Sequence, residues 1–491
     1  MGTGAKRHGH GGESGERDGG KLVSGLATNL SRCSGYFHAI GGKSRRHGAC
    51  YARGVTTFFA RLAWSVCPLI TCLVFWNATA LAVDPLNSNN RPGDKSEPIT
   101  APPDAIHPGD DGAHNEVNVV PVLGGSTDLG IGGGYFAGFV RVQKWVVPYL
   151  WNVDSSGLIT FKYSARSGFT SPYQDLYARL TIPRLFGSPL RLEIRPSYTW
   201  ESIDYFGMGN ASSRKNADDN PNPEYSKYKR GHPQFDVDVR ARIVDHLAGR
   251  VGFRYIYNAI RVDQDSQLAD DQRNGSAEVK HLIGDTSSNS VALFKYGLQF
   301  DTRDNEISSH SGTFDTFDVK LSPGGTEAFP YRYGEATMNL RAFVPLGTPR
   351  VTLAVRAVGD WMFGNVPFYE LARFDDTYAL GGTTGVRGLP AQRYYGKLKA
   401  FGNVELRLEV ATFRALRKSL TLGLVPFFDA GRLWADTKPQ PELDGRGVGL
   451  KYGYGGGVRL HSGSSFVIRL DVAASPDASP VSGYFSAGQM F

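Results

Sequence analysis

The sequence has few cysteines, and all of them lie near its N-terminus. Cys33, Cys50, Cys67 and Cys72 precede residue 83, and the remaining chain of this 491-residue protein has none. A disulfide framework and a thiolate metal site are therefore excluded after residue 82. We expect that part of the chain to be stabilised by noncovalent contacts alone.

Catalytic signatures are also lacking. The sequence contains no G-x-S-x-G, no H-E-x-x-H, no Walker loop and no Cys-His zinc spacing. The glycine-rich run Gly130–Gly134 has no P-loop lysine, so a glycine-rich strand is the better interpretation. We therefore predict no enzyme activity, no metal and no cofactor. The alternative is acid–base chemistry by interior carboxylates, which more often form ion pairs: Asp236, Asp238, Glu193 and Glu335.

Excess positive charge is missing from most of the chain. The net charge is +7, but residues 1–82 hold ten lysines and arginines against three acids, and the remainder holds 44 bases and 44 acids. A nucleic-acid-binding surface needs clustered positive charge in the folded part. We therefore expect no nucleic acid partner.

One long apolar run occurs, at Leu62–Trp76, and Arg53 and Arg61 precede it. It has the length of a signal-peptide core and is too short to span a membrane comfortably. The small residues Ala80 and Ala82 fit a cleavage site after Ala82. We predict that residues 1–82 are a basic leader and signal peptide that is removed. The alternative is an uncleaved membrane anchor.

From Glu116 onwards, apolar and polar residues alternate. In Leu190–Glu201 the apolar and aromatic side chains share one face of an extended strand, and the charged ones share the other. Many such strands are typical of a barrel with lipid outside and a polar lumen. We predict an all-β fold, a transmembrane antiparallel β-barrel of about 16 strands at 116–491, after a disordered linker at 83–115. The strands are expected near 116–123, 128–142, 155–165, 172–183, 190–201, 233–245, 248–261, 289–302, 311–323, 332–344, 350–362, 398–411, 420–433, 447–461, 464–474 and 481–491.

The connections between these strands alternate in length. Asp245–Leu247 and Pro345–Pro349 are short, whereas Ser202–His232, Arg261–Ser288 and Met362–Lys397 are long. Short periplasmic turns and long external loops are the signature of an outer-membrane barrel. The last of these loops lies between the eleventh and twelfth predicted strands.

The segment Leu380–Lys397 of this loop is rich in glycine, and its centre is Val386-Arg387-Gly388-Leu389. Glycines allow tight or positive-φ backbone, so we expect a loop that packs closely and places one guanidinium. Two acidic strand segments follow it: Asn403–Arg407, which contains Glu405, and Phe427–Trp434, which contains Asp429.

Together these three segments resemble the VRGF/VRGY loop and the following strands of the BamA/TamA superfamily of outer-membrane barrels. The resemblance covers about residues 116–491. It implies that the VRGL loop enters the barrel and that Arg387 pairs with Asp429 and Glu405 on the inner wall. The alternative is an ordinary solvated loop arginine.

The C-terminus extends the resemblance. Phe485, Gly488 and Phe491 resemble the family's membrane-insertion signal, in which a terminal aromatic residue ends the last strand. One feature departs from the family: the linker at 83–115 is too short for a periplasmic polypeptide-transport-associated domain.

The resemblance implies a location in the bacterial outer membrane, with lipid and a client protein as partners. The implied function is insertion or translocation of proteins, through a weak seam between the first and last strands. One alternative is a passive pore without a client. A less favoured alternative is a barrel enzyme that acts on lipid or peptide.

Overall fold

The computed structural model describes residues 113–143, 146–165, 167–374, 377–378, 380–415, 418–462 and 466–491. The predicted leader and linker, including Ala80 and Ala82, lie outside these residues. Sixteen antiparallel strands follow one another around a barrel. They are β1 His114–Ser126, β2 Gly130–Gln143, β3 Val146–Ser164, β4 Tyr173–Ile182, β5 Leu190–Asp204, β6 Lys227–Val244, β7 Leu247–Val262, β8 Asn289–Asp301, β9 Gly312–Pro323, β10 Arg332–Pro345, β11 Val351–Gly364, β12 Leu398–Ala415, β13 Lys418–Trp434, β14 Lys451–Ser462, β15 Phe466–Ser475 and β16 Ala478–Ala487.

This architecture confirms the predicted all-β antiparallel barrel of about sixteen strands. An additional short strand, Gly168–Thr170, pairs with the end of β3. In a separate two-stranded ribbon, Arg373–Phe374 pairs with Thr377–Tyr378. The described helices are short and lie in connections: α1 Lys215–Asp219, α2 Gln267–Asn274, α3 Ala277–Ile283 and α4 Pro441–Asp444. None of them is long and apolar enough to cross a membrane.

Strand parity separates two environments. Phe428 and Val404 are 49% and 42% exposed on the outer face, whereas their neighbours Asp429 and Glu405 are fully buried in the lumen. An apolar outer face matches lipid and a charged inner face matches a polar interior. The residues under the long loops form a packed core, with Tyr205, Tyr228, Phe368, Tyr369 and Tyr395 among its members.

The ends of β1 and β16 meet over a short distance. Among the described residues of the two strands, only Gly125 with Phe485 and Ser126 with Tyr484 are paired, and the Thr127 N–H then donates to the Gly483 carbonyl at 3.1 Å. In contrast, β1 pairs with β2 along its whole length. The barrel is therefore closed at this seam by a few backbone hydrogen bonds near the long-loop end.

The last strand ends earlier than its pattern predicted. Residues 481–491 were expected to be extended, but β16 stops at Ala487. Gly488 has φ +85°, and its N–H donates to the Val467 carbonyl at 2.8 Å. This turn at a glycine directs the terminal residues away from the strand.

Candidate functional site: a buried arginine on the lumen wall

The VRGL loop lies inside the barrel, and its own backbone holds it in a compact turn. The Gly382 N–H donates to the Leu389 carbonyl at 2.9 Å, and the Leu389 N–H donates to that of Val386 at 3.3 Å. Gly388 has φ +95°, and a Cβ there would lie 2.9 Å from the backbone carbon of Ala474. Glycine at this position therefore permits both the turn and the close approach to β15.

Arg387 makes a bidentate ion pair with Asp429 of β13. Its Nε donates to Asp429 Oδ2 at 2.8 Å, and its Nη2 donates to Oδ1 at 3.0 Å. The Arg387 backbone N–H also donates to Oδ2, at 3.0 Å. A planar guanidinium fits a carboxylate in this way, and an ammonium does not.

Two further carboxylates complete the arginine's surroundings. Nη1 donates to Glu405 Oε1 at 2.7 Å and to Asp471 Oδ2 at 3.2 Å. The sequence reasoning predicted Glu405 as a partner but missed Asp471 of β15. Asp471 stands between Leu470 and Val472 in an alternating segment, and this parity was the signal that could have placed it in the lumen.

Other arginines balance the three acids. Arg407 donates to Glu405 Oε2 from Nε at 3.0 Å, and Arg459 Nη1 donates to Asp471 Oδ1 at 2.5 Å. The Arg387 guanidinium also lies over the ring of Phe427, 3.4 Å from its centroid. The side chains of Arg387, Glu405 and Asp429 have no solvent exposure. A buried charge is tolerated only when it is paired and hydrogen-bonded, and this network meets that condition.

Apolar contacts and glycines complete the docking of the loop. Val386 and Leu389 are fully buried in a cluster with Leu380, Phe401 and Leu433. On β14, a Cβ at Gly453 would lie 1.8 Å from the Arg387 carbonyl oxygen. The wall therefore leaves room for the loop backbone at that strand.

The loop touches both sides of the seam. The Gly388 N–H donates to the Tyr484 hydroxyl of β16 at 2.8 Å, and the Ala391 N–H donates to Asp128 Oδ2 at 3.2 Å. Asp128 belongs to the turn between β1 and β2. One docked loop thus contacts the last strand and the first hairpin at the same end of the barrel.

The residues of the predicted insertion signal occupy different places. Phe485 is 39% exposed on the outer face, whereas Gly488 forms the turn after β16. Phe491 lies in the lumen, where an oxygen of its terminal carboxylate accepts a hydrogen bond from Arg407 Nη2 at 2.9 Å. Because Arg407 also pairs with Glu405, the chain end and the VRGL loop share one hydrogen-bonded network. A role of these residues in membrane insertion stays a prediction.

In the described part of the chain, no group of three His, Cys, Asp or Glu side chains is arranged to hold a metal ion. The interior carboxylates considered for catalysis are engaged in ion pairs. Lys295 Nζ donates to Asp236 Oδ1 at 2.8 Å and to Asp238 Oδ2 at 2.7 Å. Lys320 Nζ lies 3.2 Å from Glu335 Oε2. Arg191 Nε lies 2.7 Å from Glu193 Oε1.

Comparisons with known proteins agree with this fold. The family model of the Omp85 superfamily domain matches residues 159–491. The chain is similar to the crystal structure of BamA from Haemophilus ducreyi lacking POTRA domains 1–3, at 13% identity and a TM-score of 0.52, over 76% of this chain and 70% of that chain. It is also similar to CdiB from Escherichia coli, at 15% identity and a TM-score of 0.47, over 75% of this chain and 62% of that chain. No curated protein sequence matches the chain.

The family model covers well over half of the chain, and the likeness to BamA extends over most of the barrel. The family resemblance predicted from the VRGL loop and the following strands is therefore confirmed. This protein belongs to the Omp85 superfamily and is an outer-membrane β-barrel.

Proposed function

We propose that this barrel inserts or translocates client polypeptides at the outer membrane by opening at the seam between β1 and β16. The observation that carries the proposal is the unequal pairing of β1. Thirteen of its residues pair with β2, but only two pair with β16. An unpaired strand edge is a template for another strand, so a client strand has a place to add.

The cost of opening supports the same proposal. Separating β1 from β16 breaks a few backbone hydrogen bonds, each worth roughly 0.5–1.5 kcal/mol net. Separating β12 from β13 would break fifteen residue pairs. Opening the barrel at the seam therefore requires less free energy than separating β12 from β13.

In this proposal the VRGL loop sets the closed state. Arg387 binds carboxylates of β12, β13 and β15 and so fixes the loop to the lumen wall. The following residues Gly388 and Ala391 donate hydrogen bonds to the two sides of the seam. A client that displaces the loop would remove the contacts to Tyr484 and Asp128. Loop docking and seam closure are thus expected to change together.

The competing function is a passive pore. Two observations weigh against it. The lumen side of the long loops is packed with Phe368, Tyr369, Leu371 and Tyr395, none of which is exposed. The VRGL loop also packs inside the lumen against β12 and β13 and contacts β14 and β15. A steady aqueous path would need these groups to move.

A disulfide across the seam tests the proposal. Thr127 and Gly483 continue the register of the two strand ends, and a Cβ at Gly483 would lie 4.0 Å from Thr127 Cγ2. We would replace both by cysteine in a chain whose four native cysteines are serine. The matched control links Thr412 and Thr421, a directly opposed pair on β12 and β13 whose hydroxyls are 3.2 Å apart.

Assembly of a denatured outer-membrane protein into proteoliposomes is the readout. We expect the oxidised Thr127→Cys/Gly483→Cys variant to lose assembly activity and to regain it with reductant. The oxidised control pair is expected to keep full activity. Full activity of the locked seam would reject opening at β1 and β16 and would favour the passive pore.

A further inference from the structure

A cavity of about 340 Å³ lies in the short-turn half of the lumen, next to the VRGL loop. Its walls come from six consecutive strands, β6 to β11, with Thr384 of the loop and the C-terminal Phe491. Among its charged lining groups, positive charge predominates: Arg240, Arg250, Arg341 and Arg356 against Asp318 and the terminal carboxylate of Phe491. Arg387 and its three carboxylate partners do not line this cavity, but Phe491 connects the cavity to their network through Arg407.

The arginines stand in two like-charged pairs. Arg341 lies directly opposite Arg356 on β10 and β11, and Arg240 lies directly opposite Arg250 on β6 and β7. Like charges at directly opposed strand positions are destabilising. Two such pairs around one cavity therefore need negative charge close by.

Two nearby acids already bind two of the cavity's own arginines. Asp318 Oδ1 accepts from Arg250 Nη2 at 2.6 Å, and Asp315 Oδ1 accepts the backbone N–H of Arg341 at 3.0 Å. The terminal carboxylate of Phe491 accepts a hydrogen bond from Arg407 Nη2 at 2.9 Å. Among the described residues, no Asp or Glu side chain forms an ion pair with Arg240, Arg341 or Arg356.

Neutral groups take part of their hydrogen-bonding capacity. Arg341 Nε and Arg356 Nε both donate to Asn339 Oδ1, at 3.2 Å each, and Arg356 Nη1 donates to the Thr384 carbonyl at 2.8 Å. Each guanidinium has five N–H donors, so most of those on Arg341 remain for a ligand. Arg356 is only 4% exposed, so water solvates its charge poorly.

We infer that this cavity binds a small phosphomonoester such as a sugar phosphate, with its phosphate held by Arg341 and Arg356. A doubly charged phosphate offers three acceptor oxygens to the paired guanidinium forks and removes their repulsion. The volume lies at the lower end of small-molecule sites, which fits a sugar phosphate and excludes a polymer. Arg240 adds a further positive charge to the wall of the cavity.

Calorimetric titration of the purified full-length barrel in neutral detergent tests this site. Inorganic phosphate and glucose 6-phosphate are the probes, with sodium chloride at matched ionic strength as the control for screening. We expect saturable binding that weakens on the order of tenfold or more in Arg341→Gln and in Arg356→Gln. Arg261→Gln, which removes an exposed arginine at the other end of β7, is the matched control and is expected to bind like the original chain.

A phosphate group also occurs on lipids, so a second arm separates the two sources. Thermal unfolding is measured in phosphatidylcholine vesicles with and without phosphatidic acid. A rise in midpoint with phosphatidic acid that Arg341→Gln abolishes, without binding of glucose 6-phosphate, assigns the site to a lipid head group. Binding of glucose 6-phosphate without that rise assigns it to a soluble ester.

Folding of the variants is checked without any phosphate. Removing one member of a like-charged pair is expected to leave the unfolding midpoint of Arg341→Gln unchanged or higher. A lower midpoint would mean that Arg341 has a structural role and would contradict the inference. Equal phosphate responses in the original chain and in an Arg240→Gln/Arg341→Gln variant would also overturn it.

Discussion

At the residue scale, Arg387 is a buried positive charge that three carboxylates, those of Asp429, Glu405 and Asp471, neutralise. Removing one partner of a buried ion pair costs roughly 3–5 kcal/mol, because the other charge is left uncompensated. We expect Arg387→Ala and Asp429→Ala each to undock the loop, and Arg387→Lys to do so in part, since an ammonium cannot make the bidentate pair.

Loop docking in these variants is measured by protease cleavage within residues 380–397. The double variant should cost less than the sum of the single changes, because the two groups act as one unit. Strictly additive effects would mean that Arg387 and Asp429 are energetically independent.

Gly453 allows the docking to be disturbed without changing any charge. A Cβ there would lie 1.8 Å from the Arg387 carbonyl oxygen, whereas at Gly456 on the same strand the nearest atom is 4.0 Å away. We expect Gly453→Ala to raise protease sensitivity of the loop as much as Arg387→Ala does. Gly456→Ala is the matched control and should behave like the original chain. An undisturbed loop in Gly453→Ala would show that β14 does not constrain it.

The sequence predicts part of this site and not the rest. Glu405 and Asp429 follow from strand parity and from motif order. Asp471 has the same parity but no motif around it, so it was missed. The need for glycine at Gly453 is invisible in the sequence, because it depends on how closely a distant loop approaches β14.

At the element scale, alternation identified the strands but not their full lengths. β6 begins at Lys227, six residues before the alternating segment expected at 233, and β3 begins at Val146 rather than near 155. The residues added to β6 include Lys227, Lys229 and Arg230, so an apolar face was not visible there in the sequence.

The first hairpin carries a pH-dependent contact with the loop. Burial raises the pKa of Asp128 from 3.8 to about 6, against the opposing effects of the Ala391 N–H and the Lys162 ammonium. The folded state then binds this proton more tightly than the unfolded state. Its contribution to stability therefore rises as the pH falls through about 6 and is smallest above that value.

We expect Asp128→Asn, which mimics the neutral acid, to be more stable than the original chain at about pH 7.5, by at most about 3 kcal/mol. The difference should shrink at about pH 5. Urea unfolding of both chains at the two pH values measures it. A difference that does not change with pH would mean that Asp128 titrates normally.

At the scale of the whole molecule, the barrel is strong around most of its circumference and weak at one seam. The strand count and the position of the VRGL loop were predictable from local patterns. The two-residue closure between β1 and β16 was not, because it depends on how sixteen tilted strands meet after a full turn. The filling of the lumen by the long loops likewise depends on contacts between residues far apart in sequence.

The most direct test of the account is whether a client strand contacts the free edge of β1. A photoreactive phenylalanine is placed at Val119, which is 68% exposed on β1, and at Val404, which is 42% exposed on β12 away from the seam. Proteoliposomes with each variant are illuminated while a purified, denatured outer-membrane protein is added. We predict a covalent adduct with that client from position 119 and none from position 404. No adduct, or equal adducts at both positions, would contradict client addition at the seam.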